Sequence, residues 1–150
     1  MEDELNKSRT DILRCHVRAN GILVGSAELI PTDPPMGCAS GPFYPNDGYR
    51  KIQPIIREYH LYDGTLGEAN GQKRLEAEAK IDALRLTVIA EDGEVLDPEV
   101  GVHISDFSEE LDEDPYQLDL LGLPFDIYDR LFPLAWQEYL DRVKGKEQDE

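Results

Sequence analysis

Residues 11–30 read DILRCHVRANGILVGSAELI, and this stretch decides the architecture of the chain. Leu13, Cys15 and Val17 alternate with Arg14, His16 and Arg18, the period of two that turns one side of a strand to a core and the other to solvent. The turn Ala19-Asn20-Gly21 supplies the left-handed backbone angles that a tight primed turn demands. Asp11 to Arg18 and Ile22 to Ile30 are therefore predicted to pair as a β-hairpin. Arg14, His16 and Arg18 share its polar face, where they would bind an anion or, more simply, pair across the sheet with acids such as Glu28.

After this hairpin the chain is dense in breakers. Pro31, Pro34, Pro35, Pro42 and Pro45 and three glycines fall between Pro31 and Gly48, so the segment 31–48 is predicted to be a long loop, a kind that is more often functional than idle. Tyr49, Ile52, Ile56 and Tyr59 recur at helical spacing around Pro54, which predicts a short amphipathic helix. Asp63 to Gln72 reads as a Gly-rich connection. From Leu75 to Ala83, Leu75, Ala77, Ala79, Ile81 and Ala83 alternate with charged residues. The reading is a long strand with a bulge near Ala83; a helix passing into a strand near Leu84 is the rival, because Ala, Glu and Lys favour helix.

Farther on, Asp92-Gly93 between Val88 and Leu96 signals a second hairpin, and Val100 to Phe107 supplies one more strand. Ser108 to Leu123 reads as an acidic, irregular connection. Pro124 opens a helical region bearing Phe125, Tyr128, Leu131 and Phe132, and Pro133 restarts it with Trp136, Tyr139, Leu140 and Val143. Lys144-Gly145 is a helix stop. The fold class expected is α+β, an antiparallel sheet built from hairpins with helices packed on one face. One domain over 9–145 is expected, with loose polar ends at 1–8 and 146–150.

Charge is distributed unevenly. Between Leu86 and Asp129 there are fourteen carboxylates and no Lys or Arg, while residues 1–85 balance to −2 and residues 130–150 to −1, out of a net −17. Adaptation to high salt would scatter acids along the whole chain, so the block bears on a partner or on solubility instead. Glu91, Asp92 and Glu94 on the second hairpin and Glu109, Glu110, Asp112, Glu113 and Asp114 after it are the candidate binding residues. They would form one carboxylate-rich surface, over about 91–129, for a basic protein partner, as in an inhibitor, immunity or regulatory protein. Direct nucleic-acid binding is disfavoured by the sign of the charge.

No metal site is expected: His16, His60 and His103 are isolated, and Asp112-Glu113-Asp114-Pro115 does not fit a calcium loop. No cofactor is implied. The alternative to an interaction protein is an enzyme or small-molecule binder that uses the loop 31–48, where Gly37-Cys38-Ala39-Ser40-Gly41 places a thiol and a hydroxyl. That spacing is not a nucleophile elbow, and no catalytic residue is assigned. The aromatic helical stripe is read as core, with self-association as its other use. Two cysteines, no apolar run of membrane length and an acidic start point to a reducing, cytoplasmic setting.

Overall fold

The computed structural model describes residues 11–63 and 70–148. Seven strands form one antiparallel, curled sheet: β1 (Leu13–Ala19), β2 (Ile22–Asp33), β3 (Cys38–Pro45), β4 (Leu86–Ala90), β5 (Val95–Leu96), β6 (Gly101–Asp106) and β7 (Tyr116–Leu121). Their order across the sheet is β5-β4-β1-β2-β3-β7-β6. Four α-helices complete an α+β fold: α1 (Tyr49–Tyr62), α2 (Gly71–Ala83), α3 (Phe125–Leu131) and α4 (Pro133–Gln148).

The first hairpin is as its sequence requires. Asn20 and Gly21 both have positive φ, 50° and 82°, and Leu13 faces Leu29, Cys15 faces Ala27 and Val17 faces Gly25. A bulge after Val17 sets Arg18 opposite Leu23, so the extra residue, Val24, turns into the core beside Gly25. Arg14 lies opposite Glu28, with Nε 3.6 Å from its carboxylate. The same core face continues through Phe43, Ala39, Leu118, Leu120 and Ile104 on one flank and Val88, Ala90 and Leu96 on the other.

Three readings of the sequence are corrected. The segment 31–48 is not a loop: β2 runs on through Pro31 to Asp33, a 3-10 turn occupies Pro34–Met36, and β3 follows from Cys38. Pro31 adjoins a register shift, Pro34 and Pro35 lie in the 3-10 turn and Pro45 ends a strand, while Pro42 stands inside β3 opposite Gln117. Gly37 makes the reversal at φ 68°. Second, Leu75 to Ala83 lies in helix α2. Only Ala77 of this helix is buried, so no sheet enforces the apolar-polar alternation and local preference decides. The Asn70 side chain caps its start by accepting from the Lys73 N–H at 3.1 Å. At its end, Ala83 O and Leu84 O accept from the Asn20 side chain and backbone N–H. Third, the irregular connection proposed over Ser108 to Leu123 contains β7, with Leu118 and Leu120 buried.

Helix α1 places Tyr49, Ile52, Ile56 and His60 into the core and closes the edge of β6. Its Arg57 donates to Asp106 O at 2.8 Å, and His60 Nε2 lies 3.1 Å from Ile104 O, which occupies carbonyls that an open edge would offer to another chain. Helix α3 closes one end of the curl. Tyr128 and Phe132 are fully buried there, and the Tyr128 hydroxyl donates to Cys38 O at 2.9 Å. Pro133 restarts the helix as expected, but α4 does not stop at Gly145; it continues to Gln148, so the expected loose end at 146–150 begins inside a helix. The backbone N–H groups of Leu134 and Ala135 donate to Asp11 Oδ2 at 3.0 and 3.1 Å, a cap delivered from just before β1. The expected loose start at 1–8 lies outside the described residues.

Candidate interaction surface

Strand direction decides where each acidic loop lands. Taking β1 as running upward, the antiparallel registers make β4 and β7 run downward and β6 upward. The β6–β7 loop, with Glu109, Glu110, Asp112, Glu113 and Asp114, therefore lies at the upper end, the end that also carries the Asn20-Gly21 turn. The β4–β5 turn, with Glu91, Asp92 and Glu94, lies at the lower end, which α3 closes. The eight acids do not form one continuous surface; they form two clusters at opposite ends of the sheet.

At the upper end, Asp106 organises the loop. Its side chain is fully buried. Oδ2 accepts from the Tyr49 hydroxyl at 2.7 Å and from Gln53 at 3.1 Å, and Oδ1 accepts from the Ser108 N–H at 2.9 Å. Burial pushes the carboxyl pKa upward, but the bonds from Ser108, Tyr49 and Gln53 outweigh it and hold the group below the ordinary Asp value. Beyond this anchor, Arg57 Nη2 pairs with Glu109 at 2.6 Å, and its guanidinium also engages both oxygens of Glu110. The hydrogen bond from Arg57 lowers the pKa of Glu110. Two of the five upper acids thus share one internal arginine, which offsets one of their two charges, while Asp112, Glu113 and Asp114 stay exposed.

At the lower end, the Asp92 carboxylate accepts from the Glu94 N–H at 2.9 Å across Gly93, and Glu94 pairs with Arg130 of α3. Glu91 and Asp92 are exposed. The start of β6 brings Glu99 and Val100 to the same end. Glu99 N and Val100 N donate to Gly122 O and Leu121 O at 2.9 and 3.0 Å. The sequence already groups Asp97 and Glu99 with this hairpin; what the fold adds is Asp126, which shares the surroundings of Arg130 with Glu94 and Asp92.

The other candidates occupy different places. Cys15 is buried and Cys38 half-buried, both as free thiols; burial pushes the Cys15 pKa up to about 12. Cys38 pairs with Asp33, whereas His103 pairs with Asp119 and His16 with Ser26, so neither of these histidines stands beside the thiol in the sheet. His16 and Arg18 border an open groove of about 360 Å³ with Leu23 and Tyr44. Among the described residues no group of three His, Cys, Asp or Glu is placed to hold a metal ion, and no helix is long and apolar enough to cross a membrane. The aromatic stripe divides: Tyr128 and Phe132 are core, while Phe125 is exposed and stacked on Trp136 at 5.2 Å.

His60 and His103 meet at α1 and β6, ring centroids 5.3 Å apart, with Tyr59 and Phe107 around them. Burial first, then His60, lowers the His103 pKa, against the opposing pull of Asp119 and Asp63. The unfolded chain therefore takes up this proton first. The contribution of His103 to stability is intact above its ordinary value of 6.5 and falls as the pH drops from there toward the folded value. We expect unfolding free energies measured from about pH 7 to about pH 5 to decline less steeply in His103→Gln than in the parent; parallel curves would contradict this.

Comparison with protein-family models, with curated proteins and with solved structures finds no match to this chain.

Proposed function

We propose that this protein is an interaction protein that presents carboxylates to a basic protein partner. The reading is carried by one observation: of the fourteen acids between Leu86 and Asp129, only Glu94, Glu109 and Glu110 have an ion pair among the described residues. The fold brings two arginines, Arg57 and Arg130, to the block. Most of the charge is left to act outward, at both ends of the sheet. A field of that sign steers cationic surfaces and speeds their encounter.

The test is retention of proteins from the source lysate at low salt, followed by a salt gradient. Retained species are expected to elute well before about 0.15 M salt is far exceeded, because exposed pairs are screened over roughly 8 Å at that strength. A variant carrying Glu91→Gln, Asp92→Asn, Asp112→Asn, Glu113→Gln and Asp114→Asn is expected to lose them with its fold intact. Asn suits position 114, whose φ is 46°. Cys38→Ala should retain them. Binding indifferent to salt and to the five amides, but lost in Cys38→Ala, would replace this reading with a site at the 3-10 turn.

A further inference from the structure

Three of the most exposed apolar side chains converge at the lower end. Val100 is 77% exposed, Met36 64% and Phe125 58%, and all three border one cleft of about 390 Å³ together with Pro35, Leu123 and Glu99. Apolar side chains scattered singly over a surface need no explanation, but a gathered patch beside polar residues marks an interaction site. The walls are held firmly. Leu123 N donates to Gly37 O at 2.9 Å, the Gly122 and Leu121 carbonyls accept from the N–H groups of Glu99 and Val100, and Phe125 lies against Trp136. Little ordering entropy remains to be lost when something docks.

Resting on the reading above, we infer that this cleft receives an apolar side chain from a cationic segment of the partner. Charge selects the occupant. No Lys or Arg borders the cleft. Glu99 lies on its rim, Asp126 follows Phe125 in the first turn of α3, and Glu91 and Asp92 stand at the same end of the sheet. The nearby cation Arg130 is engaged by Glu94. A second copy of the chain would bring an identical acidic rim against this one, and like charges in close apposition repel. A segment with Lys or Arg on either side of one aliphatic residue complements both features, the anchor filling the cleft and the flanking charges meeting the rim.

The probe is a fluorescein-labelled octapeptide of lysines and arginines around a central leucine, titrated against the full chain by anisotropy at about 50 mM and about 0.15 M salt. Its partners are the same peptide with serine at the centre and a glutamate counterpart. The leucine peptide is expected to bind about tenfold more tightly than the serine peptide, and the glutamate peptide not at all. Val100→Lys and Met36→Lys should each weaken the leucine peptide about tenfold, with unfolding midpoints unchanged because both side chains face solvent. Glu113→Lys, at the far end, should act weakly. Unlabelled leucine peptide should also shift the emission of Trp136, the one tryptophan of the chain.

Equal affinity of the leucine and serine peptides, or binding untouched by Val100→Lys, overturns the cleft and leaves the broader reading standing. Failure of every cationic peptide to bind at the lower salt overturns both. Sedimentation showing a dimer that Val100→Lys dissociates would assign the cleft to a second copy instead.

Discussion

Replacing Asp106 by Asn is expected to cost about 3 kcal/mol of folding stability, read by chemical denaturation at neutral pH. The carboxylate is an acceptor to three separate donors, the Tyr49 hydroxyl, the Gln53 amide and the Ser108 N–H, and it is fully buried. An amide at this position turns one acceptor into a donor that faces donors. Tyr49→Phe removes only one of the three and should cost about 1–2 kcal/mol. The acid limb provides a second check. Because the folded carboxyl titrates below the unfolded value of 3.8, its contribution is complete above that pH and is lost as the pH falls through the folded value. Asp106→Asn should lack this part of the acid transition. A variant within about 0.5 kcal/mol of the parent would show that the loop does not depend on this anchor.

A comparable loss, about 3 kcal/mol, is expected for Gly41→Ala, by a different cause. An added Cβ at Gly41 would stand 2.0 Å from the backbone oxygen of Glu28 and 3.1 Å from Leu29 Cα. These are atoms of the neighbouring strand, so no side chain can swing aside and β2 and β3 must separate. Gly41 also pairs with Leu118 on β7, which places the strain in the middle of the sheet. A glycine in a strand interior marks such a close approach of backbones. Thermal unfolding measures the effect, and an unchanged midpoint would mean that the curl has room to relax.

Which parts of this molecule were legible follows from how local each signal is. Asn20-Gly21 and Asp92-Gly93 announce hairpins because their backbone angles are settled by two residues alone. Pro133 divides α3 from α4 by the same economy. Leu75 to Ala83 misled because its alternation is accidental: the helix buries Ala77 and rests Ile81 against the core, while Leu75, Ala79 and Ala83 stay exposed. Around Gly41, a count of prolines and glycines suggested a loop where two long strands cross the sheet. In β7 the alternation of Leu118 and Leu120 with Gln117 and Asp119 was available, but the neighbouring acids drew the reading toward an irregular connection.

The candidate surface failed to be legible at a longer range. Its residues were correctly seen as acidic, yet whether they adjoin depends on strand order, and strand order is a property of the assembled sheet. Arg57 illustrates the same limit. It reaches Glu109 and Glu110 across 52 and 53 positions of chain, and nothing near 109–110 in the sequence foretells its arrival.

Asp11 carries a consequence for the order of assembly. The first amide it caps, that of Leu134, lies 123 positions later, nearly the widest separation between contacts that the described chain permits. During synthesis the acceptor is made well before the amides that donate to it. Joining contacts so distant along a chain is slow, because the entropy of closing the intervening loop must be met first. The docking of α4 is thus a closing step, the clasp by which the polypeptide fastens this helix to the chain just before β1.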